Sequence, residues 1–281
     1  LNAAQYYNHR YGVPIIGWRH EMETLSLEDA LAFYRTYYAP NNAVLVVAGD
    51  VDPQEVLALA NTYYGVLPAN PDLKPRDRSV EPPQTSPRRM VFEDPRVAQP
   101  YVTRSYLAPE RNPGDQKTAA ALTMLAELLA GSTTSLMNER LQFEKNIAVY
   151  TGAFYSGSSL DQTTFNLTIV PAQGVSLEDA EAAMDVVLAE FMETGVNTEH
   201  LERIKMQMRA SQIYARDSVE SLANRYGRAL SSGLTVADVQ AWPDVLQEIN
   251  EADVMAAAQL VFDDRQSVTG WLTGVTSEVS Q

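Results

Sequence analysis

Three histidines, His9, His20 and His200, are the only imidazole side chains in this chain of 281 residues, and it contains no cysteine. Two histidines three or four residues apart on a helix can hold one metal ion, and no pair here has that spacing. His9 and His20 could meet through the fold, together with Glu21 and Glu23 of the RHEME stretch. A metal-dependent hydrolase built on His9 and His20 is therefore one hypothesis. The simpler interpretation is that they are surface or turn residues, and His200 is predicted to be solvated.

Other catalytic centres lack their residue patterns. The absence of cysteine excludes disulfides, thiolate metal sites and a cysteine nucleophile. Serines occur in GSTTS and SGSSLD, but no G-x-S-x-G motif is present, so a Ser/His/Asp triad is unsupported. The GVPIIG stretch does not have the spacing of a phosphate-binding loop.

The charge of the chain excludes two classes of partner. With 36 acidic and 21 basic residues, the formal net charge is −15, which repels nucleic acid backbones and anionic membrane surfaces. No apolar run approaches the roughly 18 residues that a membrane-spanning helix needs. We therefore predict neither a nucleic acid partner nor membrane insertion. The 45% of apolar residues can form the core of one large or two ordinary domains.

Caps and prolines indicate the first elements. Ser26 and Asp29 have the spacing of a capping box that begins a helix, and Pro40 stops that helix. The apolar run 43–48 is predicted to be a strand inside a sheet. Pro53 then occupies the first position of the next helix.

Residues 66–89 are rich in proline and basic residues and are predicted to form a stiff, exposed linker. Hydrophobic periodicity predicts the elements that follow it. Strands are expected near 89–93, 101–106, 148–156, 163–170 and 267–273, and helices near 115–130, 132–146, 176–194, 198–214, 218–231, 235–248 and from 250.

Residues 26–50 and 250–274 share one pattern of cap, helix, turn and apolar strand. The aromatic residue at the end of the helix also coincides, Tyr38 with Phe262. The pattern predicts an internal duplication, although a common helix-turn-strand unit could arise twice. In a duplicated chain the first copy would begin before Leu1, so the chain would start partway through its first domain.

Two stretches carry a family resemblance. NHRYGVPIIGW (8–18) and YYAPNNAVLVVAGDVDP (37–53) resemble the second half of the catalytic domain of the pitrilysin/insulinase zinc metallopeptidases, with Arg10 where that family usually has proline. Residues from LTVADVQAWPDVL to SVTGWLTG resemble the family's second, catalytically silent domain.

The resemblance implies an α/β fold of two homologous domains, each a mixed sheet with helices packed on one face. Residues 1–66 would be the second half of the first domain, which is incomplete here. Residues 67–89 would be the interdomain linker, and 90–281 the silent domain.

The resemblance also implies where the metal chemistry lies. Family members bind zinc through an H-x-x-E-H motif and a later glutamate in the first domain, upstream of the stretch where this chain begins. The helix at the equivalent position of the second domain reads ALTMLAELLAGST (121–133), with Glu127 but no histidine. This chain is therefore expected to bind no metal and to be inactive alone, with zinc held elsewhere in the intact parent.

Many relatives hold the substrate with an arginine and a tyrosine, spaced R-x-x-x-x-x-x-Y ahead of a strand of the second domain. Tyr150 stands at the tyrosine position, but Phe143 stands at the arginine position. Arg140, one helical turn earlier, could replace that arginine. We therefore predict that Tyr150 and Arg140 bind substrate, while packing of Tyr150 against a neighbouring strand residue is the alternative.

The function implied by the resemblance is that of the C-terminal part of a zinc-dependent endopeptidase that encloses and cleaves extended peptides. This chain would supply the wall of the substrate chamber. Its partners would be a peptide substrate and the missing N-terminal half or a zinc-bearing subunit, and a homodimer stays open. The alternative is a non-catalytic, peptide-binding partner subunit of a two-chain peptidase. The export signals of relatives favour the bacterial periplasm, with the cytoplasm as the other compartment.

Overall fold

The computed structural model describes residues 1–274. These residues form a five-stranded mixed sheet with helices packed on one face, which confirms the predicted α/β class. The strands are β1 (Arg88–Glu93), β2 (Tyr101–Ala108), β3 (Ala148–Tyr155), β4 (Thr163–Pro171) and β5 (Ser267–Thr273). The α-helices are α1 (Asn2–Gln5), α2 (Arg19–Thr24), α3 (Leu27–Tyr37), α4 (Pro53–Tyr63), α5 (Lys117–Ala130), α6 (Leu177–Thr194), α7 (Thr198–Tyr214), α8 (Val219–Ser231), α9 (Val236–Glu248) and α10 (Glu251–Val261). None of the described helices is long and apolar enough to cross a membrane.

The sheet has the strand order β1-β5-β2-β4-β3, with β1 and β5 parallel and the other neighbours antiparallel. Alternate side chains of a strand point to opposite faces. Val102 of β2 and Phe165 and Leu167 of β4 are fully buried against α5, α6 and α10, and they form the main core. We call the opposite side of the sheet the open face.

Residues 43–48 are not a strand, so the prediction of a buried strand there is wrong. Val44, Leu45 and Val47 are 57%, 55% and 50% exposed. A buried strand needs hydrogen-bonding neighbours and covered faces. No described strand lies beside this run, and its apolar pattern alone does not make it part of a sheet.

The linker is less exposed than its composition predicts, because Glu81 and Gln84 are buried in it. The Glu81 carboxylate accepts the backbone N–H groups of Tyr7, Asn8 and His9 at 2.7, 3.1 and 3.0 Å. Burial acts to raise the pKa of Glu81, but these hydrogen bonds and one from Gln84 lower it overall. The linker thereby holds residues 1–12, which we call the N-terminal segment, in place.

The same N-terminal segment covers one end of the open face. Gly270 of β5 leaves room for it, since a Cβ atom there would lie 3.2 Å from Cδ1 of Leu1. Gln5 Nε2 donates to the carbonyl oxygen of Gln266 at 2.9 Å. Residues from the two ends of the described chain are thus packed together.

An ion-pair network joins α6 to the sheet. The buried Glu181 carboxylate accepts two hydrogen bonds from Arg89, at 2.6 and 2.7 Å, and one from Arg104 at 2.7 Å. The indole N–H of Trp271 adds a fourth at 2.6 Å. Burial acts to raise the pKa of Glu181, but these donors outweigh it and lower the pKa to about 2. The carboxylate therefore stays ionised in the core.

Candidate functional site

The strand β3 lies at one edge of the sheet and pairs only with β4 among the described strands. Its outer row of N–H and C=O groups therefore has no neighbouring strand. Such an edge is a template on which an extended peptide can add as a further strand. The predicted site residue Tyr150 lies on this strand.

Two aromatic rings lie on the open face at this edge. Tyr150 is 45% exposed and Phe154 is 53% exposed, while Thr151 and Ala153 between them face the helices. Gly152 accommodates the rings, because a Cβ atom there would lie 2.8 Å from the Tyr150 hydroxyl and 2.6 Å from the Phe154 ring. Sequence reasoning missed Gly152 and Phe154, although the Y-x-G-x-F alternation in a strand could have indicated both.

Arg140, the second predicted site residue, precedes β3 in a π-helical segment over Asn138–Glu144. Its guanidinium pairs with Glu144 at 2.7 Å. Arg140 lines a groove together with Phe143 and Phe191. This groove extends to the C-terminal end of α6 and the N-terminal end of α7. Tyr150 does not line this groove, and no described hydrogen bond joins it to Arg140. In the described structure the two predicted residues therefore share neither this groove nor a hydrogen bond.

The π-helical segment also differs from the regular helix predicted over 132–146. Lys145 N–H donates to the Arg140 carbonyl five residues back, at 3.2 Å, instead of four back as in an α-helix. The segment is tied to β3 by Gln142 Nε2, which donates to Thr151 Oγ1 at 3.0 Å. Asn146, with φ of 52°, then turns the chain into β3. The wider turn changes which side chains share a helical face.

His9 is buried, not a surface histidine. Its Nδ1 atom accepts the backbone N–H of Tyr11 at 3.2 Å, so Nε2 carries the proton that is donated to Asp161 Oδ2 at 3.1 Å. Burial acts to raise the pKa of Asp161, but hydrogen bonds from Arg78 and His9 lower it overall. Both ring nitrogens of His9 are engaged, so this histidine is unsuited to binding a metal ion.

The other two histidines do not form a metal site with His9. His20 is exposed on α2, and no three His, Asp or Glu side chains in residues 1–274 are grouped to hold a metal ion. His200 on α7 is half-buried, against the prediction that it is solvated, and its Nε2 is buried without a described partner. Burial and nearby Arg203 lower the pKa of His200. The residues described here do not fit zinc, and the hypothesis of a hydrolase built on His9 and His20 is wrong.

Residues 24–208 match the sequence profile of the family described as "Peptidase M16 inactive domain". "Zinc protease PqqE" of Helicobacter pylori is 26% identical over 278 residues, which are 97% of this chain and 60% of the relative. "Uncharacterized zinc protease YmxG" of Bacillus subtilis is 22% identical over 255 residues, which are 90% of this chain and 59% of the relative. The chain therefore spans about 60% of the length of these relatives.

Solved structures have the same fold. A protease from Helicobacter pylori superposes with a TM-score of 0.88 at 24% identity, over 96% of this chain and 64% of that one. A "peptidase M16 inactive domain" from Pseudomonas fluorescens superposes with a TM-score of 0.80 at 18% identity, over 96% of this chain and 62% of that one. The profile match covers more than half of the chain, and it confirms the resemblance that the sequence motifs indicated. The chain belongs to the peptidase M16 family of metallopeptidases, and its match is to the inactive domain of that family.

Proposed function

We propose that this chain is the non-catalytic, peptide-holding part of a zinc-dependent endopeptidase. The observation that carries the proposal is the free edge of β3, with Tyr150 and Phe154 exposed on the open face beside it. An extended peptide would add along β3, so that its backbone hydrogen-bonds to the strand. The two rings would then contact its side chains or carbonyl groups, with the Tyr150 hydroxyl as a hydrogen-bond donor.

Arg140 would join this contact only after releasing Glu144. Both members of that ion pair are more than 40% exposed, and such pairs contribute about 0–1 kcal/mol. A peptide carbonyl or carboxylate could therefore take the guanidinium from Glu144 at small cost. We propose Tyr150 as the primary contact and Arg140 as a secondary one.

The zinc-bearing part would cover the apolar surface of residues 1–66. We infer that these residues belong to a first domain, that 67–89 link the domains, and that 90–281 form the second domain. The half-exposed Val44, Leu45 and Val47 support this inference, because an apolar strand sequence without neighbours is suited to completing a sheet formed by other residues. The relatives named zinc proteases are also longer than this chain.

A binding experiment tests the peptide-holding role. Fluorescence anisotropy of a labelled, unstructured peptide of about ten residues would measure its affinity for the purified chain. We expect Tyr150→Ala to weaken binding about tenfold, in the range of an interface aromatic residue. Tyr63→Ala, at an exposed tyrosine of α4, is the matched control and should change little. A peptide N-methylated at alternate residues should bind poorly, because it cannot form the strand ladder.

An activity experiment tests the non-catalytic part of the proposal. The purified chain should contain no stoichiometric zinc and should not cleave a fluorogenic peptide. Tightly bound zinc with turnover by this chain alone would refute the proposal. Turnover that appears only on addition of a separate zinc-bearing chain would favour the two-chain alternative over a single longer polypeptide.

A further inference from the structure

A second groove, at the far end of β3 from Tyr150, contains an unusual set of charges. Its volume is about 520 Å³, and it lies between the turn after β3, the end of α7, and α8 and α9. Its lining includes three arginines, Arg111, Arg225 and Arg228. In a chain with a net charge of −15, a groove lined by three cations needs a physical explanation.

Arg111 is the most buried of the three, at 9% exposure. Its guanidinium lies 3.8 Å from the centre of the Trp242 ring, which fixes its plane by stacking. Its Nη2 donates to the backbone carbonyl of Asp238 at 2.8 Å, and its Nε donates to the side-chain oxygen of Gln116. Both acceptors are neutral groups.

No carboxylate in the described part of the chain forms an ion pair with Arg111. The Asp238 carboxylate is engaged elsewhere, by Thr235 and by the N–H of Gly114 at 2.8 Å. Burial lowers the pKa of Arg111 to about 10, although the charge of the nearby Asp238 carboxylate acts to raise it. An incoming anion that binds the guanidinium directly would offset the remaining cost of burying this charge.

Arg225 and Arg228 are three residues apart on α8, so they project from the same side of that helix. Arg225 is half-buried and Arg228 is exposed. Within residues 1–274 neither forms an ion pair. Both side chains are therefore available, together with Arg111, to a group that enters the groove.

We propose that this groove binds a carboxylate of a peptide, either its C-terminus or an aspartate or glutamate side chain. Guanidinium groups match a planar carboxylate with paired hydrogen bonds. The proposal rests on the proposed function in that the ligand is a peptide, and it adds a preference for acidic peptides. The Oε1 atom of Gln212, another lining residue, is buried without a described partner and could accept an N–H next to that carboxylate.

Two further observations favour a peptide over a phosphate polymer. The groove volume lies within the roughly 300–1,000 Å³ of small-ligand pockets, so it holds a short segment and not an extended polyanion. The net charge of −15 also repels a polyanion much more than a peptide with one or two carboxylates.

The experiment compares four labelled peptides of one sequence: with a free or an amidated C-terminus, and with an internal Asp or Asn. We expect the chain to bind the peptide that carries the recognised carboxylate about tenfold more tightly than the peptide in which that carboxylate is replaced by an amide. A higher affinity for the peptide with a free C-terminus than for the amidated peptide identifies the C-terminus as the ligand. A higher affinity for the Asp peptide than for the Asn peptide identifies a side chain. The double variant Arg225→Gln, Arg228→Gln should lose this preference.

Arg209→Gln removes one positive charge from an exposed residue of α7 outside the groove and should keep the preference. Far-UV circular dichroism and urea midpoints would show that all variants are folded. Equal affinity for acid and neutral peptides, a preference that persists in the double variant, or tighter binding of inorganic polyphosphate than of any peptide would overturn the proposal. If the neutral peptides bind and that binding depends on Tyr150, the proposed function stands in each of these three cases. If the chain binds none of the peptides, both the carboxylate groove and the proposed function are refuted.

Discussion

The ion-pair network around Glu181 makes a quantitative prediction about stability and pH. The pKa of Glu181 is lowered from 4.5 to about 2 in the fold. One pKa unit corresponds to about 1.4 kcal/mol, so the ionised carboxylate contributes about 3 kcal/mol to the free energy of unfolding at neutral pH. Replacing Glu181 by Gln removes this contribution and leaves Arg89 and Arg104 without their shared anion. We expect a loss of about 3 kcal/mol, near the range measured when one partner of a buried ion pair is removed.

The sign of the pH dependence follows from the lowered pKa. Above pH 4.5 the carboxylate of Glu181 is ionised in both the folded and the unfolded chain, and its full contribution is present. As the pH falls from 4.5 towards 2, the unfolded chain takes up the proton first, and the contribution is lost. The difference in stability between the native chain and Glu181→Gln should therefore be largest above about pH 5 and should shrink on acidification.

Urea unfolding followed by far-UV circular dichroism, at several pH values between 7 and 3, measures this difference. Glu178→Gln is the control, because Glu178 is exposed in the first turn of the same helix. That substitution should change the free energy of unfolding by less than about 0.5 kcal/mol. The reasoning would be refuted if the two variants were equally stable, or if the loss in Glu181→Gln did not change with pH.

Two other predictions concern the N-terminal segment and β3. Glu81→Ala leaves three backbone N–H groups without their acceptor, and that of His9 is buried, so hydrogen exchange of residues 7–9 should accelerate, on the order of 100-fold at His9. The exposed Glu55→Ala is the control, and equal exchange in both variants would contradict the assigned contact. Gly152→Ala places a Cβ atom against the outer ends of the Tyr150 and Phe154 rings. Because both rings can move into solvent, we expect a stability change within about 1 kcal/mol and a peptide affinity about tenfold lower, and unchanged affinity would count against the proposed contact.

Local signals in the sequence predicted the helices well. Ser26 and Ser176 cap their helices by accepting the N–H groups of Asp29 and Asp179, as their spacing predicted. Asn250 does the same for α10. Such signals are reliable because a cap is formed by residues three positions apart, whose geometry is set within one turn. The strands from β1 to β5 were also found near their predicted positions.

Features that depend on distant residues were predicted poorly. His9 is buried because Asp161, 152 positions later, accepts its Nε2 proton, and no local pattern records that contact. The run 43–48 has the composition of a strand, but a strand also needs a neighbour. Arg140 was placed one turn of a regular helix before Phe143, and the π-helical segment changes which side chains share a face there.

The contact of Gln5 with Gln266 bears on how the chain is made. The two residues are separated by 261 positions. At roughly 5–20 residues per second, a ribosome needs about 13 to 50 s to synthesise the intervening chain. Throughout that time Leu1 and the residues after it have no β5 against which to dock, so these residues reach their native positions only late in synthesis. In the cell, this delay would leave residues 1–5 open to chaperones and proteases until β5 has been synthesised.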